Sequence, residues 1–304
     1  MTSAAETFAV MGAGGLGGVF GATLAAAGAT VVFIARGAHL DAIRAEGLRV
    51  ESAGGNMHIH PADATDDPAA VGPVDTVLFT VKLWDTETAA RACAPLIGPE
   101  TTVLTLQNGI DSGDRLGAIL GPEHVVVGVT YVPAVVVRPG VVRHAGSGCD
   151  VTFGAFAGGP TAALEGLSAT FAAAGVHARI ATDARRLIWE KFVFVVATSG
   201  VTTVTGKSFG EVRADAAARA MFRALMAEAA AVARTHGIAV ASDLVERNMA
   251  RLEAMPGEAT SSMARDRVRG NRLEIDWLAG AVVRLGAEAG VSTPVNAVIY
   301  TALT

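Results

Sequence analysis

Three places in this 304-residue chain carry residue types and spacings able to do chemistry. The first is Gly12-Ala13-Gly14-Gly15-Leu16-Gly17, a Gly-x-Gly-x-x-Gly run. Such a run suits a dinucleotide: the first glycine makes a tight turn, the second lets a pyrophosphate reach the backbone, and the third packs helix on strand. The second place is Lys191, whose helical neighbours three and four residues away are Leu187, Ile188, Phe194 and Val195. An apolar surround desolvates an ammonium, lowers its pKa and tunes it as an acid or hydrogen-bond donor. The alternative is a lysine whose stem covers apolar surface while its head reaches water. The third place is Glu274. On one helix that puts Arg265, Arg269, Arg272 and Asp276 on its solvent face, Glu274 points about 200° away from Asp276, at ~100° per residue. Its neighbours are then Gly270, Trp277, Leu278 and Ala281. The carboxylate is expected to face inward, either as a functional partner of Lys191 or as its structural ion pair.

These residues need elements to hold them. Phe8-Ala9-Val10-Met11 precedes the glycines, small helix formers follow to Ala27, and after Gly28 comes Thr30-Val31-Val32-Phe33-Ile34. The pattern is strand, glycine turn, helix, strand, and the helix start offers free N–H groups and a positive dipole end to phosphates. Gly15 and Leu16 are counted with the three glycines as cofactor-binding. Where an NAD enzyme closes its second strand with an acid for the ribose 2′-hydroxyl, this chain has Arg36, whose guanidinium suits a 2′-phosphate. NADPH is therefore the expected cofactor; the bland alternative is a surface arginine opening the next helix. Two further apolar strands run into Lys82 and Asn108, and strand carboxyl ends line the ligand crevice of an open α/β sheet. Both residues are expected to face the cofactor, against the alternatives of a solvated strand end and a simple Asn-Gly turn.

From Val125 to Phe156 the pattern suits hairpins extending the sheet; residues 160–174 read as helix and 177–181 as a last strand. Beyond residue 183 the chain reads as helix broken by glycines and prolines. The expected fold class is α/β, with an N-terminal Rossmann-type dinucleotide-binding domain over residues 1–182 and an all-helical substrate and catalytic domain over 183–304.

Composition narrows the function classes. Hydrophobic residues make up 51% and charged residues 17%, with a net charge of −5, so the chain folds and lacks the general basic footprint of a nucleic-acid or membrane-surface binder. Residues 7–35 are uncharged, but Glu6 precedes them and glycines interrupt them, against a signal peptide or span. Cys93 and Cys149 form no Cys-x-x-Cys pair, which fits a reducing, cytoplasmic setting. His58 and His60 alternate on an expected strand with no acid or cysteine nearby, so no metal is expected.

Taken together, the glycine-rich start with Arg36, Thr80-Val81-Lys82, Leu106-Gln107-Asn108-Gly109, Trp189-Glu190-Lys191-Phe192, and Ser261-Ser262-Met263 leading to Gly270-Asn271-Arg272-Leu273-Glu274-Ile275-Asp276 resemble the ketopantoate reductase (2-dehydropantoate 2-reductase) family. The resemblance spans nearly the whole chain. It implies NADPH-dependent reduction of 2-dehydropantoate to D-pantoate on the way to pantothenate and coenzyme A. It also implies Lys191 as the catalytic lysine, Glu274 as the acidic active-site residue, Asn108 and Ser262 as substrate or cofactor contacts, and Gly12, Gly14, Gly17, Arg36 and Lys82 as NADPH contacts. Family members of the best-known type carry asparagines four and eight residues after the lysine and another on a later loop. Here those positions hold Val195, Ser199 and, at about that loop position, Phe209. Ser199 is kept with Asn108, Lys191, Ser262 and Glu274 as substrate-binding. Loss of amides from a site that hydrogen-bonds its substrate shifts specificity, so another branched 2-oxo acid, a 3-hydroxy acid or an imine is the alternative substrate. A non-enzymatic NADPH-binding sensor is the reading from another class. A homodimer is the expectation from the family and from base rates.

Overall fold

The computed structural model describes residues 6–157 and 161–304; Pro160, expected to open a helix, lies outside the described residues. The chain divides into two compact units, one of Met1–Gln107 with Asp111–Ala184, the other of Asn108–Ile110 with Arg185–Thr304.

Among the described residues the first unit holds strands β1 (Thr7–Met11), β2 (Thr30–Ile34), β3 (Leu48–Ser52), β4 (Met57–Ile59), β5 (Asp63–Thr65), β6 (Thr76–Phe79), β7 (Thr102–Thr105), β8 (Val125–Val129), β9 (Ala134–Arg138), β10 (Val141–His144), β11 (Asp150–Ala155) and β12 (His177–Ile180). Eight of them form one sheet in the order β12-β11-β8-β7-β6-β1-β2-β5. All neighbours are parallel except the β11–β8 pair. Strands β6 and β7 are buried at every residue, which explains why their sequences do not alternate: a parallel strand covered on both faces has no polar side to show.

The hairpin of β9 and β10 does not extend this sheet as the sequence suggested. It pairs β10 in parallel with β3, making a separate four-stranded sheet in the order β4-β3-β10-β9. The reason lies in the helix Gly15–Ala26, buried over Gly17–Ala22 and again at Leu24 rather than along one stripe. A Cβ on Gly21 would lie 2.5 Å from the Phe33 ring, and one on Gly18 would lie 2.8 Å from Val142 of β10. A helix apolar all round must be covered on both sides, and the second sheet supplies the second cover. Behind the first sheet, Phe171 on the helix Thr161–Ala173 meets Phe20 and Phe153 edge-on and tilted, both at 6.0 Å.

The second unit is helical. Its long helix Ala184–Thr205 is apolar and long enough to cross a membrane by length and composition, yet 78% of its apolar window is buried inside the protein. Phe222, Leu225 and Met226 from the helix Ala216–Thr235 are fully buried in the same unit, and Asp215 starts that helix by accepting the Ala217 and Ala218 N–H groups. The segment from Ser262 to Glu288 is not one helix, as the spacing of its arginines suggested. Helix Ser262–Val268 ends before Gly270, which has φ +69°, and a single 3-10 turn at Ile275–Trp277 precedes helix Ala279–Glu288. Arg265 accordingly leaves the solvent face: it is half-buried and donates to the Thr260 carbonyl at 2.8 Å.

Candidate active site

In the α/β unit the end of β1 is shaped for a phosphate. Gly12 has φ +95°, and a Cβ there would lie 2.9 Å from Val81; on Gly17 it would lie 2.4 Å from the Gly12 carbonyl. These two positions admit only glycine because turn, helix and strand meet there. Gly14 is different, since a Cβ on it would meet nothing within 4 Å. That space opens at the start of the Gly15–Ala26 helix, which has no side-chain cap and no acid in its first turn, so its first N–H groups remain for an anion. Gly15 sits against the Ala134 backbone of β9, and Leu16 is half-buried against the core.

Side chains lock this turn from two sides. The Thr80 hydroxyl donates to the Gly12 carbonyl at 2.8 Å, while Gln107 donates to the Val81 carbonyl at 3.0 Å. His39 accepts the Gly140 N–H on Nδ1 at 3.0 Å, which leaves Nε2 to donate to the Ala13 carbonyl at 2.8 Å. Sequence reasoning missed His39, because nothing in its neighbourhood distinguishes it from a surface histidine. Gly12, Gly14, Arg36, His39, Val81 and Asp85 are among the residues lining a cleft of about 470 Å³ here. Arg36 stands at its rim, 74% exposed, with its guanidinium 3.2 Å from Asp85. Lys82 lies just beyond β6, its Nζ 5.6 Å from the centre of the Trp84 ring. The glycine cradle, the open space at Gly14 and the uncapped helix start fit a dinucleotide.

The helical unit gathers the other expected residues. Lys191 is buried on helix Ala184–Thr205, and burial pulls its pKa down from 10.5 to about 8; the Glu274 carboxylate opposes that fall and the Arg251 guanidinium adds to it. Glu274 is buried too, although not on a helix face: it precedes the 3-10 turn Ile275–Trp277. The expectation of an inward carboxylate therefore holds while its helical rationale does not. Val195 and Ser199 follow Lys191 at four and eight residues on one face of the same helix, Val195 half-buried and Ser199 buried. Asn108 belongs to this unit together with Gly109 and Ile110, whereas Lys82 belongs to the α/β unit. Ser262 opens its helix half-buried, while the neighbouring Ser261 is the cap: its hydroxyl accepts from Ala264 N–H at 3.0 Å and from the Thr202 hydroxyl at 2.7 Å. Phe209 is buried, with its N–H donating to the Ala259 carbonyl at 2.9 Å.

The chain therefore joins an α/β unit whose glycine turn fits a dinucleotide to a helical unit with a buried lysine and glutamate, an arrangement suited to a dinucleotide-dependent enzyme. Comparison with known proteins gives the same class. Residues 8–158 match the family Ketopantoate reductase PanE/ApbA, and residues 183–304 match Ketopantoate reductase PanE/ApbA C terminal. The 2-dehydropantoate 2-reductase of Halobacterium salinarum is 32% identical over 288 residues, covering 94% of each chain. Among solved structures, a PanE/ApbA family ketopantoate reductase from Ralstonia eutropha JMP134 is 36% identical with a TM-score of 0.90, covering 98% of this chain and 97% of that one. A D-mandelate dehydrogenase with NADH and anilino(oxo)acetate is 25% identical with a TM-score of 0.91, covering 98% and 97%. The chain belongs to the ketopantoate reductase family. It is an oxidoreductase that acts on a CH–OH group.

Proposed function

We propose that this chain reduces the keto group of a 2-oxo acid to the 2-hydroxy acid, with 2-dehydropantoate to D-pantoate as the first substrate to test and NADPH as the partner. The observation that carries the reading is the buried Lys191 with Glu274 acting on its charge, in the unit that also holds Asn108. A bound NADPH would supply the hydride. Gly12, Gly14, Gly15, Leu16 and Gly17 would hold its pyrophosphate on backbone N–H groups, Arg36 its 2′-phosphate, and Lys82 and Asn108 would lie along it.

As hydride reaches the keto carbon, the carbonyl oxygen becomes an alkoxide, and the Lys191 ammonium would stabilise that charge and donate its proton. A group with a pKa near 8 is mostly protonated at neutral pH yet releases its proton readily. Glu274 would keep Lys191 oriented and charged, and Asn108, Ser199 and Ser262 would hydrogen-bond the substrate. The Val195 and Phe209 positions, apolar where amides were expected, favour a second reading within the same chemistry: a 2-oxo acid with an apolar or aromatic side chain, as the likeness to D-mandelate dehydrogenase supports.

The test is oxidation of NADPH and NADH followed at the nicotinamide absorbance. Substrates are 2-dehydropantoate, 2-oxoisovalerate, pyruvate and phenylglyoxylate. Selective turnover of 2-dehydropantoate with NADPH supports the first reading, and faster turnover of phenylglyoxylate supports the second. Tight dinucleotide binding with no turnover of any 2-oxo acid would overturn both.

A further inference from the structure

The strand order of the α/β unit puts β1 between β2 and β6, so the segments that follow those two strands flank the glycine turn from opposite sides. After β2 comes Arg36, which opens the helix Gly37–Glu46. After β6 comes the 3-10 turn Leu83–Asp85, which leads into the helix Thr86–Cys93. Arg36 and Asp85 both line the cleft that Gly12 and Gly14 line. There a guanidinium nitrogen of Arg36 donates to the Asp85 carboxylate at 3.2 Å.

The surroundings of Asp85 fix its place. Leu83 and Thr86, on either side of it, are fully buried. The Thr86 hydroxyl donates to the Leu83 carbonyl at 2.9 Å and accepts from the Gln107 amide, also at 2.9 Å. Asp85 stands at the cap position of its helix, where an aspartate commonly accepts the first N–H groups. Its side chain caps none of them, and the carboxylate meets Arg36 at the cleft instead. Enzymes that bind NAD place an acid at the end of the second strand to accept the ribose 2′-hydroxyl. In this chain Arg36 holds that position, and a carboxylate reaches its guanidinium from the β6 side.

We infer that Asp85 sets the balance between the two nicotinamide dinucleotides: its carboxylate accepts the ribose 2′-hydroxyl of NADH and opposes the 2′-phosphate of NADPH, so that the chain binds both. The inference rests on the dinucleotide reading of the glycine turn and adds a specificity-determining residue to it. One cleft serves both because the two ligands answer to different groups. A 2′-phosphate takes the Arg36 fork in charge-assisted bonds and leaves a second anion, Asp85, beside it. Repulsion between a carboxylate and a dianion about 6 Å apart, screened by salt, costs roughly three- to tenfold in affinity. A 2′-hydroxyl carries no charge, so it can donate to Asp85 while the pair with Arg36 stays in place.

The test measures dissociation constants of NADPH and NADH by calorimetry, without substrate, on wild type, Asp85→Asn and Asp85→Ala. The pair is exposed and contributes little to folding, so both variants should fold. Asp85→Asn keeps the size and removes the charge. NADPH should bind it about three- to tenfold more tightly than wild type, and NADH at least about threefold more weakly. Asp85→Ala should move both constants in the same directions. Opposite shifts identify the discriminating role, because a loosened turn would weaken both dinucleotides together. NADH binding no weaker in Asp85→Asn, NADPH binding no tighter, or a wild type that binds NADPH without NADH would overturn the inference and leave the dinucleotide reading standing. A wild type that binds neither would overturn that reading and the inference with it.

Discussion

Raising the pH past 8 is expected to switch off reduction by taking the proton from Lys191. Burial is the main cause of its fall from 10.5 to about 8, with Glu274 pulling the pKa up and Arg251 pushing it down. With a pKa near 8, about one-tenth of the lysine is still charged at pH 9 and about one-hundredth at pH 10. The value of kcat/KM for a 2-oxo acid should therefore fall about tenfold below its plateau by pH 9 and about a hundredfold by pH 10, because that ratio reports the free enzyme's acid. A solvated lysine would lose almost nothing by pH 9. Oxidation of the 2-hydroxy acid needs the neutral amine as base, so its rate should rise over the same range. The neighbours give the sign of two variants. Glu274→Gln removes the attraction and moves the break to lower pH, whereas Arg251→Gln removes the repulsion and moves it higher. Initial rates from pH 6 to 10 in overlapping buffers measure all three profiles. A wild-type break at pH 10 or above, or a break that Glu274→Gln leaves in place, would refute the reasoning.

Other perturbations separate the parts of the site. Gly14→Ala places a methyl where no atom lies within 4 Å, so the melting temperature should hold within a degree or two while the NADPH dissociation constant rises at least about tenfold; tight NADPH binding by this variant would remove the pyrophosphate from that space. Gly17→Ala forces a contact at 2.4 Å and should cost about 1–3 kcal/mol of stability, read by denaturant unfolding. Arg36→Ala should raise KM for NADPH by at least about tenfold and leave KM for NADH unchanged. The exposed pair with Asp85 contributes little to folding, so the melting temperature should not move.

How much of this was legible in the sequence depended on how local each signal was. The strand, glycine turn, helix and strand at the start could be read directly, because the signal is a local spacing: Gly12 turns the chain at φ +95° and Gly17, five residues on, packs against the Gly12 carbonyl. Lys191 was legible for the same reason: its apolar neighbours lie on its own helix. Glu274 came out buried although the helix used to argue it breaks at Gly270, so burial was legible and its cause was not. The place of β9 and β10 depends on β3, some ninety residues away, and on a helix that needs covering on both sides; no local pattern encodes that pairing. His39 acts through residues distant in sequence, and side-chain type alone does not separate it from a surface histidine.

The most direct test of the account is Lys191→Ala, assayed for 2-oxo acid reduction and for NADPH binding on the same preparation. Loss of the proton donor predicts turnover reduced by about a hundredfold or more, with the NADPH dissociation constant within twofold of wild type, because the glycine turn and Arg36 lie in the other unit. An alanine variant that binds NADPH as wild type does and turns over at the wild-type rate would contradict the account.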